Sequence, residues 1–418
     1  MHPDRPAALR LAPRSAVALA VLLAAAVAAA GARPAPAPAS APPLAAQLSR
    51  ALAVPHVDAR RTAAVVVDLR AGDVVYARRE SLSLAPASAE KLPVSYALLS
   101  TLGPEYRIRT RVLGEGRLEG GTWRGRLVLK GYGDPTLSRA GLRGLARVLR
   151  ARGITRVTGR IVGDESYFDA RRTAPGWRSW YYASQCAPLS ALTVDGARYH
   201  GRVSHRPALA AVLLFRDALR AAGVAVHGSV TVGRAGPAAT PLASTASAPL
   251  ASLVRRVNRD SDNFTAETLL KHLGAARASS GTTAAGARVV RETLWRAGIP
   301  LAGVRIADGS GLSLLDRATA AQLVGVLVAA WTDPALRAPF VRSLAVAGRT
   351  GTLKRRLRAR AVAGRVAAKT GTTREASALA GYVGDRYAFA IVQNGRPVSW
   401  HWARTAQDRF VQVLASRR

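Results

Sequence analysis

Two parts of this chain read as one domain, and a stretch of different character separates them. The first part has a strand pattern at Thr62–Leu69, a turn at Arg70-Ala71-Gly72-Asp73, and a returning strand at Val74–Arg78. A short helix is expected at Leu44–Arg50, and a second at Leu92–Leu102 that stops at Gly103-Pro104. Helical pattern resumes at Pro249–Arg259, Phe264–Leu273, Ala285–Ala297 and Thr319–Trp331. Strands follow at Val366–Thr372, Ala376–Val383 and Tyr387–Gln393, then a helix at Trp402–Ala415. Helices and antiparallel strands on both sides of an insertion predict an α+β domain split in sequence, 44–105 with 246–418. The intervening 106–245 reads as an inserted α+β domain. Strands are expected at Arg109–Leu113, Arg126–Lys130, Val157–Val162 and Val224–Val232, helices at Gly141–Arg152 and Ala208–Ala222, and a Pro/Ala/Ser/Thr connection over Gly236–Ala248.

The N-terminus predicts export. Arg5, Arg10 and Arg14 precede an apolar run from Ala16 to Ala30, and Ala30-Gly31-Ala32 offers a small-residue cleavage site. The run is short for a membrane span and right for a signal peptide over 1–32, followed by a Pro/Ala tether over 33–43. The expected location is a periplasm or the extracellular wall, with no transmembrane helix in the mature chain. The formal charge is +36, but the arginines are scattered and no nucleic-acid signature accompanies them. Nucleic acid is therefore not an expected partner; the plainer reading is a drift toward arginine that leaves a solvated basic surface, and attraction to anionic envelope polymers is the functional alternative. Cys186 is the only cysteine, so no intrachain disulfide forms, and a buried structural thiol is expected there. The histidines form no pair at metal spacing, and neither metal nor cofactor is expected.

Of the 61 basic residues only five are lysines, and two of these stand in short motifs with a hydroxyl residue. Arginine stays protonated in proteins, whereas lysine can be tuned to give up its proton. Ser88 and Lys91, three apart at a helix head, place a nucleophile and a base on one face. Lysine serves as that base only if burial or a second cation lowers its pKa, and Lys369 is the candidate cation. Ser261-Asp262-Asn263 falls in a break between helices; Ser261 can relay a proton, and Asn263 can bond Lys91 and substrate. Capping of the helix near Phe264 is the plainer reading of that triplet. Lys369-Thr370-Gly371-Thr372 lies on a strand. Lys369 and Thr370 offer a cation and a hydroxyl to a carboxylate, Gly371 leaves the edge clear, and the backbone N–H groups of Thr372 and Ser88 can form an oxyanion hole. Arg349-Thr350-Gly351-Thr352 is a look-alike on a helix or loop and is rejected as the motif.

Ser-x-x-Lys, Ser-Asp-Asn and Lys-Thr-Gly in this order resemble the signature of active-site serine penicillin-recognising enzymes. The flanks resemble the low-molecular-mass class C penicillin-binding proteins, the D-alanyl-D-alanine carboxypeptidase/endopeptidase family. They include Pro86-Ala87-Ser88-Ala89-Glu90-Lys91-Leu92, Gly133-Asp134-Pro135-Thr136-Leu137, Gly163-Asp164-Glu165-Ser166-Tyr167-Phe168, Pro175-Gly176-Trp177, Asp308-Gly309-Ser310-Gly311-Leu312-Ser313 and Ala368-Lys369-Thr370-Gly371-Thr372. The resemblance runs from about Leu44 to the C-terminus. It implies a penicillin-binding/β-lactamase-like transpeptidase domain, peptidoglycan D-Ala-D-Ala peptides as substrate and β-lactams as covalent inhibitors. It also implies an acyl-enzyme on Ser88 with Lys91 as base, assistance from Ser261, Asn263 and Lys369, and substrate binding by Asp262, Thr370, Gly371 and Thr372.

Three departures accompany it. The stretch between Lys91 and Ser261 is shorter than usual, with the loss near Tyr199–Pro207. Glu90 adjoins the catalytic lysine, and helical direction predicts that it points outward. Ala89-Glu90 and Pro93 are unusual neighbours for the helix head. Two rival readings remain open at this point. A serine β-lactamase needs an efficient deacylation base, and no Glu-x-x-Leu-Asn follows Ser261 at usable spacing. A non-catalytic basic wall-binding protein on the same scaffold is the other, and intact motifs argue against it.

Overall fold

The computed structural model describes residues 42–417. The signal peptide expected at 1–32 and most of the tether, 33–41, lie outside the described residues. Among the described residues no helix is long and apolar enough to cross a membrane.

Two sheets organise the chain in a two-domain α+β arrangement. The first has six antiparallel strands, in the order Ala345–Val346, Val366–Thr372, Ala376–Val383, Tyr387–Asn394, Thr62–Asp68 and Val74–Arg78. Its central strands are buried on both faces, as expected where helices cover both sides of a sheet. Alternate residues of Thr62–Asp68 enter different cores. Ala63, Val65 and Val67 join the helices Lys91–Leu102, Leu250–Arg259, Asn263–Ala278, Thr283–Arg296 and Ala320–Thr332. Ala64 and Val66 join Leu44–Leu52 and Trp400–Ala415. The hairpin at one end of the sequence thus finds its partners in strands more than 300 residues later, Thr62 facing Gln393.

The second sheet comes from the intervening region. Its order is Val230–Val232, Ile161–Asp164, Thr122–Lys130, Arg109–Glu119 and Thr240–Ala246, and the helices Arg139–Ala151 and Pro207–Ala221 pack on it. Three expectations change here. The connection expected over Gly236–Ala248 contains the edge strand Thr240–Ala246. Pro241 and a run of small residues disguise it, and its register breaks between Pro241 and Ala243, as an edge strand tolerates. The single strand expected at Val157–Val162 is two, Arg156–Val157 and Ile161–Asp164, and Gly159 between them lies against the Gly125 carbonyl. Val224–Val232 is likewise divided, into Ala225–Val226 and Val230–Val232. Near the expected loss, Arg198–Tyr199 and Arg202–Val203 form a two-residue hairpin around His200-Gly201.

Candidate active site

The helix that follows Ser88 is apolar nearly all round, so it is buried rather than amphipathic. Lys91–Leu102 is preceded by a 3₁₀ turn, Ala87–Glu90, and closed by Gly103, whose φ of 87° with an extended ψ is open to glycine and not to residues with a side chain. Ala87 itself takes φ 48°, uncommon for a residue with a side chain. This turn fits closely against its surroundings. A Cβ on Gly311, whose φ is +78°, would overlap the Ala87 carbonyl. A Cβ on Gly371 would lie 2.7 Å from the Pro86 carbonyl and 3.1 Å from the Ala89 nitrogen. Whatever Gly371 leaves clear for substrate, its missing side chain lets the strand lie against the turn that carries Ser88.

Ser88 is half-buried, while Lys91 is fully buried. Lys91 Nζ lies 2.9 Å from Ser88 Oγ and 2.8 Å from Asn263 Oδ1, and it donates to the Ser310 carbonyl. Burial, opposed by the Asp308 and Glu267 carboxylates, lowers the Lys91 pKa to about 8. The three acceptors match the three protons of an ammonium. Once one proton leaves, Asn263 and Ser310 hold the remaining two, and the lone pair faces the Ser88 hydroxyl.

Asn263 opens the helix Asn263–Ala278, and its Nδ2 donates to the Gln185 carbonyl at 3.0 Å. Asp262 caps this helix, Oδ1 accepting from the Thr265 nitrogen, and its Oδ2 pairs with Arg256. Both oxygens of Asp262 are therefore engaged, although it lines the neighbouring cavity with Asn263 and Gln185. Capping thus falls to Asp262, while Ser261 and Asn263 meet Lys369 and Lys91. Ser261 sits at φ 60° between the two helices, which turns its hydroxyl toward the next motif. There Lys369 Nζ donates to Ser261 Oγ at 2.9 Å and to the Thr370 carbonyl at 2.8 Å. Lys369 is fully buried, and burial together with the Lys91 charge holds its pKa well below the usual lysine value. The strand Val366–Thr372 pairs with Ala345–Val346 only through Ala367 and Ala368, so from Lys369 onward that edge has no strand beside it. Ser88, Ser261, Thr370 and Thr372 line one cavity of about 470 Å³ at this edge.

Glu90 corrects an expectation. It does not point outward; it is fully buried, and neither carboxyl oxygen meets a hydrogen-bond donor among the described residues. The short 3₁₀ turn rotates position 90 inward, where an α-helical start would have shown it to solvent. Glu90, Glu267, Asp308 and Asp316 form a buried acidic cluster beneath the lysine. Burial first, and Asp308 second, push the Glu90 carboxyl well above its usual range and that of Glu267 up to about 8. A carboxyl whose pKa is raised on folding costs stability as pH climbs, because the unfolded chain releases that proton first. Glu90→Gln removes this loss. Its melting temperature should exceed that of the parent, by more at about pH 8 than at about pH 5. Thermal unfolding at the two values checks this, and a loss at both would mean Glu90 is charged in the fold.

The comparisons with known proteins fit this site. The model of the D-Ala-D-Ala carboxypeptidase 3 (S13) family matches residues 44–208 and 200–417. The chain belongs to the S13 peptidase family. Its relatives include a protein named Carboxypeptidase DacB from Mycolicibacterium smegmatis, 35% identical over an alignment of 404 residues that covers 89% of this chain and 84% of that protein. Another is the D-alanyl-D-alanine carboxypeptidase of Actinomadura sp., 31% identical over 435 residues, covering 82% of this chain and 79% of that one. Penicillin binding protein 4 of Haemophilus influenzae shares the fold, with a TM-score of 0.78 at 21% identity over 89% of this chain and 98% of that one.

Several residues at this S13 site escaped the sequence reading of motifs. Ser310 gives its carbonyl to Lys91, and the loop carrying it is held by Asp308, which accepts from the backbone nitrogens of Ser310, Gly311 and Ser313. Trp177 Nε1 donates to Asp308 at 2.8 Å, and Arg178 pairs with Glu375. The blocks Asp308–Ser313 and Pro175–Trp177 were visible as family resemblance, without a role. The rejected look-alike is a 3₁₀ turn, Gly351–Leu353, yet Thr352 Oγ1 meets Thr370 Oγ1 at 2.8 Å and lines the cavity. Cys186 is buried in the adjacent wall, where burial raises its thiol pKa.

Proposed function

We propose that this S13 peptidase is a serine D,D-peptidase that cleaves D-Ala-D-Ala or D-Ala-to-diamino-acid bonds of peptidoglycan through an acyl-enzyme on Ser88. The observation that carries the reading is Lys91 Nζ, buried and 2.9 Å from Ser88 Oγ, with its other bonds directed at Asn263 and Ser310. Lys91, once neutral, takes the Ser88 proton as Oγ attacks the substrate carbonyl carbon. The Ser88 and Thr372 backbone N–H groups hold the oxyanion. Ser261, fed by Lys369, returns a proton to the leaving amine, and the C–N bond breaks. Asn263 and the free edge of the Lys369–Thr372 segment align the acyl strand, Thr370 and Lys369 take the carboxylate beside the scissile bond, and Asp262 fixes the turn that presents Ser261. The proton that Lys91 took from Ser88 replaces the one Lys369 gave up, which leaves Lys91 neutral; water then attacks the ester with Lys91 again as base, and that proton returns to Ser88 Oγ as the acid is released.

The domain division 44–105 with 246–418, and 106–245, is part of the same proposal, supported by the two sheets and their separate apolar interiors. So is export to the periplasm or wall, where the substrate lies and where the positive surface would meet anionic polymers. Mass spectrometry after exposure to penicillin tests the reading. A persistent adduct on the Ser88 peptide, lost in Ser88→Ala, with D-alanine released from a D-Ala-D-Ala peptide, is expected. Rapid turnover of penicillin would identify a β-lactamase. No adduct and no cleavage would leave only a binding role.

A further inference from the structure

The cavity at the Lys369–Thr372 edge continues past Thr370. Its near end holds Ser88, Ser261, Thr370 and Thr372, and its far end holds Thr352, Arg355, Arg356, Arg404 and a single carboxylate, Asp408. Arg356 is committed there, donating to Asp408 at 2.7 Å, to Gln407 at 2.8 Å and to the Arg404 carbonyl. Burial, and the charge of Arg404 beside it, lower the Arg356 pKa. Arg355 and Arg404 are exposed on the cavity wall, and neither guanidinium makes a hydrogen bond or contact ion pair among the described residues. Three guanidiniums against one carboxylate leave this end with an uncompensated charge of about +2, in a concave wall that concentrates anions.

Chemistry fixes which part of a substrate reaches this end. Ser261 and Lys369 stand where the leaving amine takes its proton, so the cavity beyond them lies on the leaving-group side. A terminal D-alanine carries one carboxylate, adjacent to the scissile bond, and Thr370 and Lys369 meet that one. Nothing of it extends further. A cross-linked substrate is different, because its leaving amine belongs to a neighbouring stem peptide with carboxylates further along. About 470 Å³ is several times the volume of one alanine and admits such a strand.

We propose that Arg355 and Arg404 form a second carboxylate subsite that holds the leaving strand of a cross-linked peptide, so that this half of the cleft favours cross-links over terminal D-alanine. The proposal rests on the Ser88 peptidase reading. Guanidiniums suit the task because they stay charged and grip carboxylates in a fork.

The test uses the full chain and its Arg355→Gln/Arg404→Gln variant. Three substrates are compared: a stem pentapeptide ending in D-Ala-D-Ala, a cross-linked peptide dimer, and the same dimer amidated at the distal carboxylates of its leaving strand. The ratio of kcat/KM for the dimer to that for the pentapeptide should fall about tenfold in the variant. In the parent the amidated dimer should already be slow, and added salt should slow only the charged dimer. An equal fall on dimer and pentapeptide would place the arginines at the carboxylate common to both and overturn the proposal. No fall on either would overturn it as well. Penicillin acylation of Ser88 is followed alongside. Normal acylation with an unchanged substrate ratio defeats only the arginine subsite, whereas no acylation in the parent defeats the peptidase reading itself.

Discussion

Lys91→Met should slow acylation of Ser88 by about a thousandfold, the middle of the range attributed to a positioned general base. The substitution keeps the length and apolar stem of the side chain and removes only the amine. Lys91 is fully buried, and its charged form is disfavoured by that burial. Removing it therefore relieves a desolvation cost while leaving the Asn263 and Ser310 acceptors short of a donor, so the melting temperature should change little. Stopped-flow measurement with a chromogenic β-lactam checks the rate. The parent should show an acid limb in the same experiment. With a Lys91 pKa of about 8, roughly one molecule in ten holds the neutral base at pH 7, and the rate should climb about tenfold per pH unit below that value. A rate independent of pH from about 6 to 9 would show that a different group takes the proton.

Ser261→Gly separates chemistry from stability. The residue stands at φ 60°, where glycine is at ease and a side chain is not. Glycine relieves that strain but adds freedom to the unfolded chain, so stability should stay within about 1 kcal/mol of the parent. Peptide cleavage should nevertheless fall by about a hundredfold, because the hydroxyl that meets Lys369 Nζ is gone and the leaving amine departs without its proton donor. Steady-state kinetics on a D-Ala-D-Ala peptide, with calorimetry of both proteins, reads the two effects independently. A variant with full activity would remove Ser261 from the proton path, and one that melts far lower would show its hydroxyl to be structural.

The strands and helices that carry the three motifs were legible because their patterns are long or regular. Val366–Thr372 and Ala376–Val383 have the expected bounds, and the break before Asn263 lies where the triplet predicted it. Position 90 was not legible, since a 3₁₀ entry and an α-helical entry look alike in sequence but turn that side chain to opposite sides. The Thr240–Ala246 strand was hidden by residues that favour loops, and its place comes from pairing with Arg109–Gly114 across the sheet. The helix Pro334–Ser343 carries Pro339 within it and gave no helical signal. At the site, the motif side chains could be named in advance, whereas the Ser310 and Gln185 carbonyls could not. A backbone carbonyl leaves no trace in residue identity; only the fold aims it.

The Gln185 carbonyl, the Trp177 indole and the Arg178 guanidinium reach from the intervening sequence to Asn263, Asp308 and Glu375. Such ties make the insertion a poor candidate for modular exchange. A lineage that trimmed it to the shortest chain joining the two halves would lose the anchor of Asn263 at the same stroke. The segment that carries Trp177, Arg178 and Gln185 is therefore bound by those three contacts, whereas the small hairpin at Arg198–Val203 makes none of them.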